Sequence, residues 1–266
     1  MDVKLIKLLK KVRFMKVYVG ENMKGLIPAA GSGERLQPIT LAIPKELLVV
    51  GQKACIEHVV EAFKLANITD ITIVVGWKKH AILDYFGSGK RLNVDITYLV
   101  QDNREGLAKA VEVGKRMMGN DTFAVVLGDN FFYPKTFLKE IIDFHIKEKS
   151  DCTVGVFRTD NPSNYGVIEP KNNKNIKDII EKPSKEKAPS NLASAGIYVF
   201  EPCIFEAIKK TKKDKKGEYQ LTNSIKIMVN EGKKVLYKKL KGNHIDIGTP
   251  GTLKKANDFF SDYVTD

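Results

Sequence analysis

The chain has 266 residues, 43% of them hydrophobic, which is too apolar for disorder and long enough for a core that needs no staples. Three scattered cysteines, Cys55, Cys152 and Cys203, make no CxxC pair and no zinc spacing, and no apolar run reaches the roughly 18–20 residues of a membrane span, so a reduced cytoplasmic protein is expected. Lys and Arg number 44 against 32 Asp and Glu, and the resulting +12 asks for an anionic partner: nucleic acid, a membrane surface or a small polyanion.

Residues 1–22 carry six basic and two acidic side chains. Leu5, Ile6, Leu8, Leu9 and Val12 could share one face of a short basic helix, which leaves a membrane-surface helix as the less favoured reading. Lysines interrupt every apolar stretch and no small-residue cleavage site follows, so the segment reads as a basic extension and not a signal peptide. Met23 begins the first strand-like segment, and residues 23–266 read as one domain.

From there strands and helices alternate. Gly25–Ala30 is a short apolar strand, Cys55–Ala66 has helical spacing, and Ile71–Val75 is a continuous β-branched strand buried on both faces. Lys79–Phe86 reads as helix, Val94–Val100 as strand, Leu107–Met118 as one helix, Phe123–Leu127 as strand and Thr136–Lys147 as helix. After residue 150 strands crowd together at Cys152–Phe157, Gly166–Glu169, Ile176–Glu181 and Ala193–Phe200. Helices follow at Pro202–Lys209, Leu221–Asn230 and Pro250–Tyr263. The order predicts an α/β three-layer sandwich with a mostly parallel mixed central sheet. It divides into a nucleotide-binding half, 23–150, and a sheet-rich half, 151–266. Lysine runs at 209–216 and 233–241 read as solvated helix ends and loops. With few arginines and little aromatic interleaving, no specific nucleic acid is expected, and no membrane partner.

Ligands of such sheets bind beyond the carboxyl ends of the strands, so the polar residues there are the candidates. The first loop runs Ala30-Gly31-Ser32-Gly33-Glu34-Arg35-Leu36-Gln37-Pro38-Ile39-Thr40, then Pro44-Lys45-Glu46. Two glycines permit close backbone approach to phosphate, and Arg35 and Lys45 can neutralise it. No Walker A lysine follows. Asp129, after the Val125–Leu127 strand, and Asp246, in His244-Ile245-Asp246-Ile247-Gly248, are two carboxylates able to converge on Mg²⁺, although Gly-Asp-Asn alone reads equally well as a turn. Gln101 closes a strand and offers both a donor and an acceptor to a base edge. By itself it could be a solvated strand end, and Glu181-Lys182-Pro183 by itself a charged loop.

The pattern G-x-G-x-R-L-x-P-x-T followed by P-K resembles the signature of the sugar-1-phosphate nucleotidylyltransferases. The resemblance runs from about Lys24 to Asn257 with its motifs in order. It implies a Rossmann-like nucleotide-diphospho-sugar transferase fold. The implied reaction moves a nucleotidyl group from dTTP or UTP to a hexose 1-phosphate, glucose 1-phosphate foremost, and releases pyrophosphate. An N-acetylhexosamine 1-phosphate substrate and a catalytically silent nucleotide-sugar-binding module are the alternatives. The resemblance assigns catalysis to Arg35, Lys45 and Lys182, and nucleotide binding to Ala30, Gly31, Gly33, Gln101 and Gly106. Tyr165, Gly166, Glu181 and Asn191 fall to the sugar, and Mg²⁺, the implied cofactor, to Asp129 and Asp246. Gln101 followed five residues later by Gly-Leu matches the pyrimidine-specific members. His244 and Ile245 stand where thymidylyl members often have Trp and Leu, so the packing there differs. Homo-oligomerisation is left open.

Overall fold

The computed structural model describes residues 23–263. The basic extension, with its expected apolar helix face, lies outside the described residues.

The strands, in chain order, are β1 (Lys24–Ala29), β2 (Val49–Val50), β3 (Lys53–Ala54), β4 (Asp70–Val75), β5 (Asp95–Val100), β6 (Phe123–Val126), β7 (Asn130–Tyr133), β8 (Cys152–Arg158), β9 (Gly166–Pro170), β10 (Ile176–Glu181), β11 (Leu192–Phe200), β12 (Val235–Lys239) and β13 (Asn243–Asp246). The helices are α1 (Ile39–Ala42), α2 (Cys55–Leu65), α3 (Lys79–Phe86), α4 (Leu107–Val113), α5 (Lys115–Met118), α6 (Phe137–Glu148), α7 (Ile204–Lys210), α8 (Leu221–Asn230) and α9 (Pro250–Tyr263).

β6, β1, β4 and β5 lie side by side, all parallel. β11 joins this block antiparallel, through Ile197↔Val126 to Phe200↔Phe123, and binds β8 along its other edge, with β12 parallel to β8 beyond. β9 and β10 branch from the start of β11. The expected mostly parallel mixed sheet is therefore present, and it runs through both halves of the chain.

Alternation along the central strands sends successive side chains to opposite faces. Leu26 and Val74 enter a cluster under α4, α7 and α8, while their neighbours Ile27, Ile73 and Val75 enter another under α2, α3 and α6. Burial on both faces explains why these strands read as unbroken apolar runs. A third cluster joins Leu36, Val50, Cys55, Phe131, Ile245, Ile247 and Ala256, seating α9 against the antiparallel β7–β13 pair.

Two expectations are corrected. Leu107–Met118 is two helices, Leu107–Val113 and Lys115–Met118, meeting at Gly114, where an added Cβ would lie 2.7 Å from the Leu26 Cδ1. The 233–241 lysine run is not loop: Val235–Lys239 is strand β12, with Val235, Leu236 and Tyr237 buried. The 209–216 run is the expected helix end and loop: it closes α7 and is partly ion-paired, Lys209 to Glu206, Lys210 to Glu231 and Lys213 to Glu105. Among the described residues no helix is long and apolar enough to cross a membrane.

Candidate active site

A cleft of about 650 Å³ opens beyond the carboxyl ends of β1, β5 and β6, and the entry to β9, the end of β10, the first half of β11, the segment before α8 and β13 close its other side. It draws together Ala30, Gly31, Arg35, Lys45, Gln101, Gly106, Asp129, Tyr165, Gly166, Glu181, Lys182 and Asp246. Gly33 and Asn191 do not line it.

The turn after β1 shows what each glycine does. Gly33 has φ +67°, a left-handed conformation that favours glycine, and its carbonyl accepts from the Leu36 N–H and the Thr40 hydroxyl, both at 2.9 Å. Its function is the turn. Gly31 is the close-approach glycine: a Cβ there would lie 3.2 Å from the Lys45 Cε. The Lys45 stem therefore runs beneath the phosphate-type loop.

Lys45 ends in an ion pair with Asp129, and Glu46 lies 4.0 Å away on the same ammonium. Burial works against the charge on Lys45, but the Asp129, Glu46 and Asp246 carboxylates outweigh it and hold its pKa above the ordinary value. Burial likewise opposes ionisation of Asp129, and the Lys45 contact overcomes it, so that carboxyl stays below the usual range. Asp246 is pushed up to about 6 by burial and by the charge on Asp129, against the pull of Lys45 and Arg35. Its Oδ1 is buried with no hydrogen-bond partner. Arg35 reaches the same corner, where a Cβ on Gly248 would meet its Nη2 at 2.6 Å. The site thus pairs two cations with two converging carboxylates, one of them incompletely satisfied.

Gln101 is buried at the end of β5, with its Nε2 donating to the Gly106 carbonyl at 3.3 Å. That bond fixes the amide plane and leaves Oε1 as an acceptor. Gly106 has φ +102°, and a Cβ on it would stand 2.7 Å from the Tyr219 carbonyl oxygen. The close approach is the point: the Tyr219 N–H donates to the Glu105 carbonyl, and the Ala108 N–H to the Tyr219 carbonyl. The segment before α8 is thereby stitched over this end of the cleft.

At the far end, the Glu181 Oε2 accepts from the Thr222 hydroxyl and its Oε1 lies 3.2 Å from Lys182 Nζ. Lys182 is exposed, adopts φ +43°, and donates its N–H to the Tyr165 carbonyl at 3.0 Å. Gly166 admits Thr222, whose Cγ2 would lie 2.4 Å from an added Cβ. Asn191 is exposed, and its carbonyl accepts from Thr159. It precedes the buried β11, whose Ser194, Ala195 and Gly196 line the cleft in its place.

Two contributors were not singled out from the sequence. Glu46 is 1% exposed, and burial together with Asp129 raises its pKa to about 7 against the opposing Lys45. Its neighbour Lys45 carried the motif, and a buried acid beside it has no sequence signal. Asn130 is buried and donates from Nδ2 to the Ala195 carbonyl at 2.5 Å, tying β7 to β11.

A model of the nucleotidyl transferase family matches residues 24–262. The chain belongs to this family. This nucleotidyltransferase is 34% identical over 236 residues to the low-salt glycan biosynthesis nucleotidyltransferase Agl11 of Haloferax volcanii, a match covering 88% of this chain and 65% of that protein. It is 34% identical over 253 residues to a UTP–glucose-1-phosphate uridylyltransferase of Staphylococcus epidermidis, covering 85% of this chain and 87% of that one. A solved Bacillus anthracis structure, assigned as a glucose-1-phosphate thymidylyltransferase and holding a sucrose, matches with a TM-score of 0.83 and 33% identity over 92% of this chain and 98% of that chain. The nucleotidyltransferase fold and family read from the sequence both stand.

Proposed function

We propose that this nucleotidyltransferase joins dTTP or UTP to a hexose 1-phosphate, glucose 1-phosphate foremost. One sugar-phosphate oxygen attacks the α-phosphorus in line, the α–β anhydride bond breaks, and pyrophosphate departs with the electron pair. The observation that carries the reading is the single cleft with Gln101 at one end, Glu181 and Lys182 at the other, and the Lys45–Asp129 pair with Arg35 and Asp246 between. The uridylyl and thymidylyl names of the relatives above favour a pyrimidine nucleotide and glucose 1-phosphate.

Catalysis of this kind is mostly positioning and charge stabilisation, and no enzyme nucleophile is required. Arg35 meets the charge that collects on the leaving pyrophosphate. Lys45 serves the α-phosphate, and Lys182 holds the sugar phosphate while Glu181 accepts from sugar hydroxyls. Gln101 presents Oε1 to the imide N–H of a pyrimidine.

Mg²⁺ fits the donor set. Asp129 and Asp246 are hard oxygen ligands, and the buried, unpartnered Oδ1 of Asp246 is the kind of atom a cation would satisfy. Among the described residues no group of three or more His, Cys, Asp or Glu could hold a metal. A two-carboxylate site suits an ion that keeps waters and takes phosphate oxygens as its remaining ligands. When bound, Mg²⁺ would supply charge neutralisation and a common anchor for both phosphates.

A matrix of the common NTPs against several sugar 1-phosphates, read by pyrophosphate release with Mg²⁺ present, tests the assignment. Turnover should appear with dTTP or UTP and a hexose 1-phosphate. Turnover with ATP or GTP alone would remove the pyrimidine reading.

A further inference from the structure

The scheme above uses Lys45, Asp129 and Asp246 but leaves Glu46 without a task. Glu46 lines the same cleft and is almost fully buried. Gly128 makes its place: a Cβ there would lie 3.1 Å from the Glu46 Cγ. The Gly128-Asp129 step therefore brings two carboxylates to one ammonium, since Asp129 pairs with Lys45 and the Glu46 Oε1 lies 4.0 Å from the same Nζ. The Glu46 carboxylate has its own backbone N–H at hand, but its Oε2 is buried with no hydrogen-bond partner. A buried carboxylate oxygen in that state calls for a donor or a cation.

That donor stands next to it and is held elsewhere. Lys45 donates to Oδ2 of Asp129, one of the two carboxylates assigned to the cation. An ammonium on that carboxylate opposes a divalent cation on it, because like charges at contact range repel strongly in a buried site. Loading the cation site therefore asks Lys45 to move. Its stem has little freedom: a Cβ on Gly31 would lie 3.2 Å from its Cε, and a Cβ on Gly33 would lie 3.3 Å from its Cβ. The ammonium can swing only about its last bonds. Among the described residues, Glu46 is the other carboxylate within 4.0 Å of it. The acids here do not form a three-ligand metal group, so Glu46 is placed to hold the lysine and not the ion.

We propose that Glu46 is a positioning residue, which takes over the Lys45 ammonium when a divalent cation occupies Asp129 and Asp246. The exchange leaves every charge paired and keeps Lys45 beside the cleft, where the α-phosphate is assigned. The inference rests on the functional reading above, and on its cation site in particular.

Mn²⁺ is the probe, with the unbound ion counted by its electron paramagnetic resonance signal. Glu46→Gln keeps the shape of the side chain and removes its charge. It should weaken Mn²⁺ binding to the protein alone about tenfold. In a Lys45→Met background the same change should leave the Mn²⁺ affinity within about twofold, because no ammonium remains to be moved. Wild-type affinity in Glu46→Gln would overturn the proposal. So would an equal loss in both backgrounds, which would mean that Glu46 acts on the ion by its own charge, and so would a wild-type protein that holds no Mn²⁺ at the concentration supporting turnover. If Glu46→Gln does not fold, ¹³C-lysine spectra of the wild-type protein carry the test. The Lys45 signal, assigned by its absence from Lys45→Met, should move on adding Mg²⁺. A signal unmoved at the Mg²⁺ concentration that supports full turnover would overturn the proposal as well. Pyrophosphate release by the wild-type enzyme, measured separately, decides the functional reading whatever these titrations give.

Discussion

Lys45 and Asp129 are joined to each other, yet the proposed reaction asks each to serve a phosphate or a metal. The ion pair keeps both charged in a site that burial would otherwise neutralise, and it holds Lys45 under the Gly31 loop. Lys45→Ala should therefore lower turnover about 10²–10³-fold, as should Asp129→Ala, measured by pyrophosphate release. The single Lys45→Ala change should also lower the melting temperature more than a Lys45→Met/Asp129→Asn double variant, because it strands a carboxylate. Equal melting temperatures would show that the pair carries no such coupling. On the sugar side, the Thr222 hydroxyl donates to the carboxylate assigned to sugar hydroxyls. Thr222→Val should raise the KM for the sugar 1-phosphate about tenfold and spare the NTP, and Thr222→Ser should restore it. Arg35, Lys45, Gln101 and Glu181 were legible because their types and spacing form motifs. Glu46 and Asn130 were not, since their importance lies in burial and in partners distant along the chain.

Among the elements, the two-stranded β7–β13 sheet does the most for the site. It places Asn130 opposite Asp246 and Phe132 opposite His244 in antiparallel register, so polar residues from both strands reach the cleft while Phe131 and Ile245 anchor them to α9. Four-residue strands of this kind carry too few alternations to stand out in a sequence. β12 was hidden for another reason: its exposed lysines dominate the composition, although its first three residues are core. At the opposite end, Gly106 lets the Tyr219 backbone close over the start of α4. Gly106→Ala would force a Cβ into that backbone at a left-handed φ. It should destabilise the fold by about 1–3 kcal/mol in denaturant melts and raise the KM for the NTP. An unchanged melt would mean that the 217–220 segment is not held there. The alternating helices and strands, by contrast, were legible almost throughout, because burial on both sheet faces leaves long β-branched runs between amphipathic helices.

At the scale of the whole molecule, the third apolar cluster makes stability depend on pH. His58, on α2, donates Nε2–H to the Val50 carbonyl at 2.8 Å, meets Phe131 and Phe260 edge-on, and buries Nδ1 without a partner. Burial holds its pKa below the ordinary 6.5, helped by Lys135 and Lys53 and opposed by the Val50 bond and Glu61. The unfolded chain thus takes up this proton first as pH falls, so the stability His58 contributes is full above about 6.5 and is lost below it. His58 should lower the melting temperature between about pH 7.5 and 5, a drop set against the opposite contributions of Glu46 and Asp246, whose raised pKa values let the folded chain take up their protons first. His58→Gln, which retains a donor for Val50, should flatten that drop, and an identical profile in the variant would contradict the assignment. Arg35, Lys45 and Lys182 face the cleft, while many other lysines are paired with carboxylates on the surface. The central claim is sugar-nucleotide synthesis in that cleft. The most direct measurement is ³¹P NMR of the wild-type enzyme with Mg²⁺, dTTP or UTP, and glucose 1-phosphate. The account predicts pyrophosphate and a nucleoside diphosphate sugar rising in equal amounts as the sugar phosphate signal falls. Nucleoside monophosphate or diphosphate in their place, with the sugar 1-phosphate unconsumed, would contradict it.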